Sequence, residues 1–227
     1  MLHVRLALIA LALCLASTGF ARERHRDASA RPDSARKTES AGNYDYFLLA
    51  LSWSPTWCKT HPDETEQCGH KGYGFIVHGL WPQYENGGGP QRCATDLQVD
   101  RKTAEAALAF MPSRRLINHE WGAHGSCSGL TPAQYFALAD RAFAALQTPS
   151  ELKAPRRDLT MTSAQLRDAF KRANPGLEDN MMKFNCSRGD LVEVRVCLDR
   201  DLAPRTCGKR MRNACPSAAE FTIPASR

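Results

Sequence analysis

The alternation of apolar and polar residues is clearest near the end of the chain, where Val192, Val194 and Val196 alternate with two charged residues. A period of two is typical of a strand with one buried face, and it predicts a strand over Leu191–Cys197. Other short segments are rich in aromatic and aliphatic residues and are bounded by Gly, Pro or polar clusters, as strands often are. These further predicted strands are Tyr46–Ser54, Tyr73–His78, Met181–Cys186 and Phe221–Ile223. The second of them places His78 at the end of a strand.

Helical periodicity is strongest after Thr131, where apolar side chains recur on one face as far as Leu146. Thr131 is a favoured N-cap residue and Pro132 a favoured first residue, so together they mark the start of an amphipathic core helix. Further helices are predicted over Thr103–Met111, Ile117–His124 and Ser163–Ala173. Because strands and helices fall in separate groups, we expect an α+β fold with a central, mostly antiparallel β-sheet flanked by helices.

The first 21 residues have the layout of a secretory signal peptide, with a short basic start, the apolar run Leu6–Ala16 and small residues before Ala21. A membrane anchor is the alternative, but this run is shorter than the ~20 apolar residues that span a bilayer. Residues 22–43 are charged and polar, which predicts a disordered leader. We therefore expect a secreted or periplasmic protein with one domain over residues 44–227 and no membrane association.

The chain has nine cysteines, and removal of Cys14 with the signal peptide leaves eight. An even number in an exported chain indicates a disulfide framework, although spacing alone does not choose among the many possible pairings. A zinc site is the alternative, but no Cys-x-x-Cys pair occurs in the sequence. We therefore expect the remaining cysteines to form disulfides.

The formal net charge is +6, because 30 Lys and Arg residues outnumber 24 Asp and Glu residues. An excess of this size gives weak attraction toward a polyphosphate such as RNA. Many protein surfaces carry as much charge without binding a polyanion. The charge is therefore compatible with a nucleic-acid substrate and does not identify one.

Two motifs carry the candidate chemistry. They are Gly74-Phe-Ile-Val-His78-Gly-Leu-Trp-Pro82 and His119-Glu120-Trp121-Gly-Ala-His124-Gly-Ser-Cys127. Histidine changes charge near neutral pH, so two histidines held close together are able to give and take a proton in one reaction without a metal. The second motif differs from that of a zinc protease, whose two histidines are four residues apart and share a helix face.

The spacing within the second motif suggests different roles for its residues. His119 and His124 are five residues apart, and on a helix they would point about 140° from each other. Glu120 and His124 would be only about 40° apart and would share a face. We therefore expect Glu120 to orient His124 and His119 to reach a substrate oxygen from the flank.

Both motifs resemble the two active-site segments of the ribonuclease T2 family, and a looser resemblance extends from about Tyr44 to the C-terminus. The resemblance implies that His124 is the general base and His78 the general acid. It also implies that His119 binds phosphate and that Glu120 supports His124.

Position 123 departs from the family pattern, since the family usually carries a lysine immediately before the last histidine and this chain has Ala123. Loss of that charge predicts a slower enzyme or a substitute cation, such as Lys183 or an arginine nearby in space. The resemblance also places Trp81, Gln83 and Trp121 among the expected substrate contacts. Trp81 has the stacking position, and Gln83 replaces an acidic residue that reads a base edge in many relatives, so we expect low base specificity.

The same resemblance implies a cysteine pairing. The pairs are Cys58–Cys68, Cys93–Cys127, Cys186–Cys215 and Cys197–Cys207. The second of these would tie the helix that carries His124 to the loop after the first motif. It would thereby hold the two catalytic segments against each other.

The implied function is that of a secreted, metal-independent endoribonuclease that cleaves single-stranded RNA and needs no cofactor. The 2′-hydroxyl of RNA attacks the neighbouring phosphate to give a 2′,3′-cyclic phosphate, which water then opens to a 3′-phosphate. DNA lacks this hydroxyl and is not an expected substrate. We expect a monomer with an activity optimum on the acid side of neutral pH.

Two alternatives belong to other functional classes. The first is a family member weakened by the missing lysine that acts as an RNA-binding or protein-binding module. The second is a hydrolase for a different ester, with Ser126 as the nucleophile beside His124. A turnover assay separates the first alternative from the enzyme.

Overall fold

The computed structural model describes residues 40–69 and 71–226. Within these ranges the strands are β1 (Tyr46–Trp53), β2 (Phe75–Gln83), β3 (Leu159–Met161), β4 (Met182–Ser187), β5 (Asp190–Leu198) and β6 (Phe221–Ile223). The α-helices are α1 (Ser54–Thr60), α2 (Thr65–Cys68), α3 (Arg101–Ala107), α4 (Arg114–Ala123), α5 (Pro132–Ala145) and α6 (Ser163–Ala173). Short 3₁₀ turns cover Gly125–Cys127, Ser150–Leu152 and Asp179–Met181.

The strands form one sheet in the order β2-β1-β5-β6-β3, and β4 pairs with β5. Every pairing is antiparallel except the short parallel contact between β5 and β6. β1 lies between β2 and β5, and seven of its eight residues are buried, which explains its almost continuous apolar sequence. The expected α+β fold with a mostly antiparallel sheet is therefore confirmed.

Helices α5 and α6 cover the sheet and begin as the sequence predicts. Thr131 and Thr162 each form a capping box with the residue three positions later, which satisfies exposed backbone groups at both helix starts. The core combines strand and helix residues, including Leu49, Leu51, Val77, Phe184, Tyr135, Ala139, Leu166 and Phe170. The Tyr135 hydroxyl donates to the carbonyl oxygen of Leu80 at 3.0 Å and thereby ties α5 to β2.

Strand β2 is longer than expected, and the prediction that His78 ends a strand is wrong. β2 continues to Gln83, and its residue Pro82 pairs with Phe47 of β1. β2 is an edge strand, so the missing N–H of Pro82 costs no hydrogen bond on the outer side. His78 therefore lies in the middle of the strand.

Two helices are shifted from their predicted bounds because of their caps. The side chain of Asp100 accepts a hydrogen bond from the backbone of Thr103 at 2.6 Å, so α3 begins at Arg101. The side chain of Ser113 accepts one from the backbone of Leu116, so α4 also begins earlier than expected. It ends at Ala123, which leaves the next residue, a histidine, outside the helix.

The four expected disulfides are present and the predicted pairing is confirmed. They are Cys58–Cys68, Cys93–Cys127, Cys186–Cys215 and Cys197–Cys207. Cys93 lies in the loop after β2, and Cys127 lies just after α4. This bond joins the chain segments that carry the two histidine motifs.

The predicted signal peptide, residues 1–21, lies outside the described residues, as do residues 22–39 of the predicted leader. The end of that leader is described, and the backbone N–H of Gly42 donates to the carbonyl of Cys127 at 2.8 Å. The folded part of the chain therefore begins before Tyr44. Across residues 40–69 and 71–226, no helix has the length and apolar character needed to cross a membrane.

Candidate active site

His78 is the extra residue of a β-bulge between β1 and β2. Ala50 pairs with Gly79, whereas Leu51 pairs with the residue before His78, so His78 has no partner in the register. In a regular strand, residues three positions apart point to opposite faces. The bulge instead brings His78 and Trp81 to the same side, with their ring centroids 5.0 Å apart. A bulge beside an active site commonly re-aims a side chain in this way.

Glu193 of β5 holds His78 from across the sheet. Its Oε2 lies 2.6 Å from His78 Nδ1, and its carboxylate is almost fully buried. β1 runs between the two strands, and its small residues Ala50 and Ser52 leave room for the side chains to meet above it. Arg195 Nε donates to the other oxygen of Glu193. The imidazole therefore has a fixed, negatively charged partner.

Glu193 is a site residue that lies outside both histidine motifs and is not predicted from the sequence. Its position on the polar side of β5 follows from the alternation, but that pattern is the same for a carboxylate facing solvent. Only the strand order, with β5 two places from β2, brings Glu193 to the histidine.

Glu120 is fully buried at the centre of the site. Its Oε2 accepts a hydrogen bond from Trp81 Nε1 at 2.7 Å, and its Oε1 lies 3.6 Å from His78 Nε2 and 4.0 Å from His119 Nε2. A Cβ atom at Gly79 would overlap both Glu120 Oε2 and the indole nitrogen. The absence of a side chain at Gly79, directly after His78, therefore makes room for the carboxylate.

The expected contact between the side chains of Glu120 and His124 is not formed. The prediction assumed that His124 continues the helix, but it is the C-cap of α4, with φ −132° and ψ −49°. The two residues are linked through their backbones, because the His124 N–H donates to the Glu120 carbonyl at 3.0 Å. The Glu120 carboxylate instead faces His78 and Trp81.

His124 packs against the indole of Trp81, with ring centroids 5.1 Å apart and planes tilted by 34°. Its Nδ1 is buried and finds no hydrogen-bond partner among the described residues. Trp81 also contacts His78, so the two imidazoles border the same indole.

His119 lies at the edge of a cleft of about 550 Å³, and its side chain is 57% exposed. The cleft runs between α4 and the loop after β2, and its lining includes Arg92, Asn118 and Ala123. His119 is therefore the most accessible of the three motif histidines, and contact with a phosphate is its expected role.

The remaining predicted site residues differ in their accessibility. Trp121 is only 4% exposed and donates through Nε1 to the carbonyl of Leu97 at 2.9 Å, so it packs the wall of the cleft. Gln83 is half-buried, and its Nε2 donates to the carbonyl of the preceding Pro82. Ser126 is buried, and its hydroxyl donates to the carbonyl of Gly122, as expected of a residue at a helix end.

Comparison with known proteins assigns this geometry to a family. The model of the Ribonuclease T2 family matches residues 44–207, which is more than half of the chain and includes both motifs and Glu193. The chain belongs to the ribonuclease T2 family. Its sheet, its four disulfides and its histidine motifs are therefore those of a T2-family protein.

Two bacterial proteins are among the relatives of this T2-family chain. A ribonuclease of Aeromonas hydrophila is 37% identical over 135 residues, which cover 60% of this chain and 57% of the relative. A probable ribonuclease of Haemophilus influenzae is 36% identical over 178 residues, which cover 72% of this chain and 61% of the relative. The chain thus spans about three fifths of the length of these two relatives.

Solved structures agree in fold. The RNase-related protein from Calystegia sepium superposes with a TM-score of 0.64 at 21% sequence identity. The superposition covers 81% of this chain and 98% of the plant protein. At this level of identity the likeness concerns the fold of the T2 family.

The two histidines of this T2-family site have opposite pKa shifts. Burial lowers the pKa of His124 to about 4, with smaller effects from the charges of the other two histidines and Arg92. Burial also acts to lower the pKa of His78, but the hydrogen bond to Glu193 and the charges of Glu120 and Glu193 outweigh it and raise the pKa. Between the two pKa values, a neutral His124 therefore coexists with a protonated His78.

The pKa values of the two carboxyl groups, Glu120 and Glu193, also shift in opposite directions. Burial raises the pKa of Glu120 to about 7, against the opposing effects of His78 and the Trp81 hydrogen bond. Burial acts in the same direction on Glu193, but the hydrogen bond and charge of His78, together with Arg195, outweigh it and lower the pKa. Glu193 is therefore charged at neutral pH, whereas Glu120 is close to its midpoint.

The site therefore has the components of a general acid–base pair. A neutral imidazole accepts a proton and a charged imidazole donates one, and environments that separate two pKa values in this way are typical of acid–base catalysis. Among residues 40–69 and 71–226, no group of three or more His, Cys, Asp and Glu side chains is arranged to hold a metal ion.

Proposed function

We propose that the protein is a metal-independent endoribonuclease that cleaves single-stranded RNA by transphosphorylation. The observation that carries the proposal is a pair of imidazoles beside one indole, of which His78 is bound by the Glu193 carboxylate and His124 has a buried Nδ1 without a partner among the described residues. Membership of the T2 family and the names of the bacterial relatives support RNA as the substrate.

In the first step His124 accepts the proton of the 2′-hydroxyl. Its Nδ1 is buried, so Nε2 is the nitrogen that faces the substrate. The 2′-oxygen forms a bond to phosphorus while the bond from phosphorus to the 5′-oxygen breaks. His78, whose Nδ1 is engaged by Glu193, gives the proton on Nε2 to the departing 5′-oxygen. The products are a 2′,3′-cyclic phosphate and a free 5′-hydroxyl.

In the second step the roles reverse. Neutral His78 accepts a proton from a water molecule as the water oxygen attacks the cyclic phosphate. Protonated His124 gives its proton to the 2′-oxygen as that bond to phosphorus breaks. The product has a 3′-phosphate end, and both histidines return to their starting states.

His119 and Glu120 act around the phosphate. The exposed His119 reaches into the cleft, where its charged form binds a nonbridging oxygen. The Glu120 carboxyl group holds Trp81 through its hydrogen bond and lies within 4.0 Å of the other two histidines, 78 and 119. Glu120 is thus a positioning residue for the acid and for the phosphate-binding histidine, whereas His124 is positioned by the backbone.

We further propose low base specificity, export and action as a monomer. Gln83 already donates to its own neighbour, and the edge and face of Trp81 are contacted by His78, His124 and Arg195. These contacts occupy the indole and one amide donor of Gln83, which reduces what the two residues offer to the edge of one particular base. The predicted signal peptide supports a secreted or periplasmic location, and the need for a 2′-hydroxyl argues against DNA as a substrate.

The test is digestion of a uniform RNA by the oxidised protein in excess EDTA, with end-group analysis of the fragments. We expect cyclic-phosphate and 3′-phosphate ends, and we expect His124→Ala to reduce their formation by about 10³-fold. His61→Ala is the matched control, because His61 is exposed and stacks on Trp57. Absence of cleavage by correctly folded protein between acid and neutral pH would reject the proposal. RNA binding without turnover would then favour the binding-module alternative.

A further inference from the structure

Position 123 is the point at which the chain departs from the pattern of its family. The side chain of Ala123 is small, and the residue lies at the last position of α4, beside His124 and on the wall of the cleft. During cleavage, negative charge accumulates on the nonbridging oxygens of the phosphate, and a positioned cation stabilises that charge. Without a lysine at this position, either that stabilisation is lost and the enzyme is slower, or a cation from another part of the chain supplies it.

We propose that Arg92 supplies this cation, so that its guanidinium group binds a nonbridging oxygen of the reacting phosphate in the place of a lysine at position 123. The inference rests on the proposed function and assigns a catalytic residue to it. Arg92 neither gains nor loses a proton in the reaction. It donates N–H hydrogen bonds and contributes a positive charge that guanidinium retains at any pH at which the protein is folded.

The backbone holds Arg92 directly against position 123. The Arg92 N–H donates to the Ala123 carbonyl at 3.0 Å. The next residue, Cys93, is bonded to Cys127, and its N–H also points to Cys127 Sγ at 3.1 Å. The loop is thus fixed to the end of α4 at two successive residues.

The conformation of Arg92 is unusual, because its φ of 53° lies in the left-handed region. A non-glycine residue adopts this region at some energetic cost, and such strain is found preferentially at functional sites. Here the strained backbone directs an exposed arginine toward the cleft that contains His119 and Ala123.

The charge of Arg92 is available for a substrate. Among residues 40–69 and 71–226, its side chain has no hydrogen bond or carboxylate partner. Its charge is nevertheless close enough to His124 to contribute to the low pKa of that residue. An exposed arginine on the wall of the cleft, near the proposed general base and without a carboxylate partner in the described part of the chain, fits an anionic ligand.

Two other cations fit this role less well. Arg195 is near the site, but its Nε already donates to the Glu193 carboxylate. Lys183 was the lysine candidate from the sequence, and its charged neighbours are Arg167 and Arg212. Neither lies on the cleft that contains position 123.

The test uses four oxidised proteins in a mutant cycle: the unsubstituted chain, Arg92→Ala, Ala123→Lys and the double variant. Steady-state cleavage of the dinucleotide UpA gives kcat and KM as a function of pH. We expect Arg92→Ala to lower kcat by about 100-fold, as does loss of one charge-stabilising group in other enzymes, with a smaller change in KM. In the Arg92→Ala background, Ala123→Lys should raise kcat by at least about 10-fold.

The pH profile gives a readout that a structural role would not change. Arg92 contributes to the low pKa of His124, so its removal should move the acid limb of kcat/KM to higher pH. Arg92→Lys keeps the charge, so the acid limb of kcat/KM should stay at the same pH. The rate should fall in part, because lysine lacks the planar pair of donors. Arg101→Ala is the control, since Arg101 is exposed and pairs loosely with Glu105.

Three outcomes would overturn the inference. A kcat for Arg92→Ala within about three-fold of the unsubstituted value would show that Arg92 carries no transition-state charge. A lowered kcat without rescue by Ala123→Lys would show that the charge does not act at position 123. Inactivity of the folded, unsubstituted protein would reject the proposed function, and this inference with it, whereas the first two outcomes leave the proposed function intact.

Discussion

His78 and His124 are the same side chain in two different settings. His78 sits on the sheet, where a bulge aims it and a buried carboxylate binds its Nδ1 at 2.6 Å. His124 follows the end of α4, where its Nδ1 is buried and the structure offers it no side-chain partner within the described residues. The sheet therefore compensates the burial of its histidine with negative charge, and the helix end does not.

In the proposed mechanism, one residue type provides both halves of an acid–base pair. Burial lowers the pKa of an imidazole unless a carboxylate offsets it. Among the described residues, only His78 has such partners, Glu193 and the more distant Glu120, so the pKa values of the two histidines move apart. The partner with the larger effect, Glu193, lies on β5 and outside both histidine motifs.

The largest predicted effect comes from replacing one of the two histidines at a time. His78→Ala and His124→Ala should each reduce RNA cleavage by about 10³-fold. With a uridine 3′-(4-nitrophenyl phosphate), whose leaving group needs no proton, His78→Ala should return to within about 10-fold of the unsubstituted rate, whereas His124→Ala should not. Initial rates of nitrophenolate release measure this. Equal recovery of both variants would contradict the assignment of base and acid.

The second prediction concerns Cys93–Cys127, the disulfide that joins the chain segments carrying the two histidine motifs. The pairs Cys93–Cys127 and Cys186–Cys215 close loops of similar length, 34 and 29 residues. Replacing either pair by serine should lower the free energy of unfolding by about 4 kcal/mol, measured by denaturant titration. Only the first replacement should also lower kcat at a temperature where the protein is folded. A similar loss of kcat in both variants would argue against a specific positioning role.

The third prediction removes the negative charge of Glu193, which distinguishes the surroundings of His78 from those of His124. Glu193→Gln keeps the shape of the side chain but removes its charge, so the pKa of His78 should fall. Since the acid must be protonated, the alkaline limb of kcat/KM should move to lower pH. On that limb, kcat/KM at a fixed pH should drop about 10-fold for each unit by which the pKa of His78 falls. The acid limb, set by His124 near its pKa of about 4, should stay.

Asp190→Asn provides the matched control for that variant. Asp190 begins the same strand and pairs with the partly exposed Lys59 at its surface. The substitution should leave both limbs of the profile in place. An alkaline limb that is unchanged in Glu193→Gln would contradict the role of Glu193.

The smallest predicted effect concerns Trp81, whose indole contacts the rings of both His78 and His124. Trp81→Phe keeps an aromatic ring but removes the hydrogen bond from Nε1 to Glu120. That bond helps to keep the pKa of Glu120 down, so its loss should raise the pKa further. We expect kcat/KM for RNA to fall about three-fold, near the lower end for one hydrogen bond. A loss of about 100-fold or more would assign Trp81 a direct part in catalysis.

Local signals in the sequence predicted local parts of the structure. The cap at Thr131 and helical periodicity placed α5, and the bounds Ser163–Ala173 and Phe221–Ile223 were correct. The motif histidines do converge, as their composition suggested. Helices α1 and α2 were missed, because they are short and lack a long apolar period.

Long-range features of the site were not predictable in the same way. The partner of His78 depends on strand order, which alternation alone does not reveal. The direction of Glu120 depends on where α4 ends, and a helical wheel assumes that the helix continues through His124. The nearness of Arg92 to Ala123 depends on a loop whose path the sequence pattern leaves open.

The bulge at His78 also makes the site sensitive to the number of residues in β2, apart from their identity. Removal of Gly79 or Leu80 would let His78 pair regularly with β1, so the bulge that sets the spacing and direction of His78 relative to Trp81 would be lost. Several positions in this segment would tolerate a related side chain, but none would tolerate a deletion. We therefore expect that, during evolution, this short stretch accumulates substitutions far more readily than changes in length.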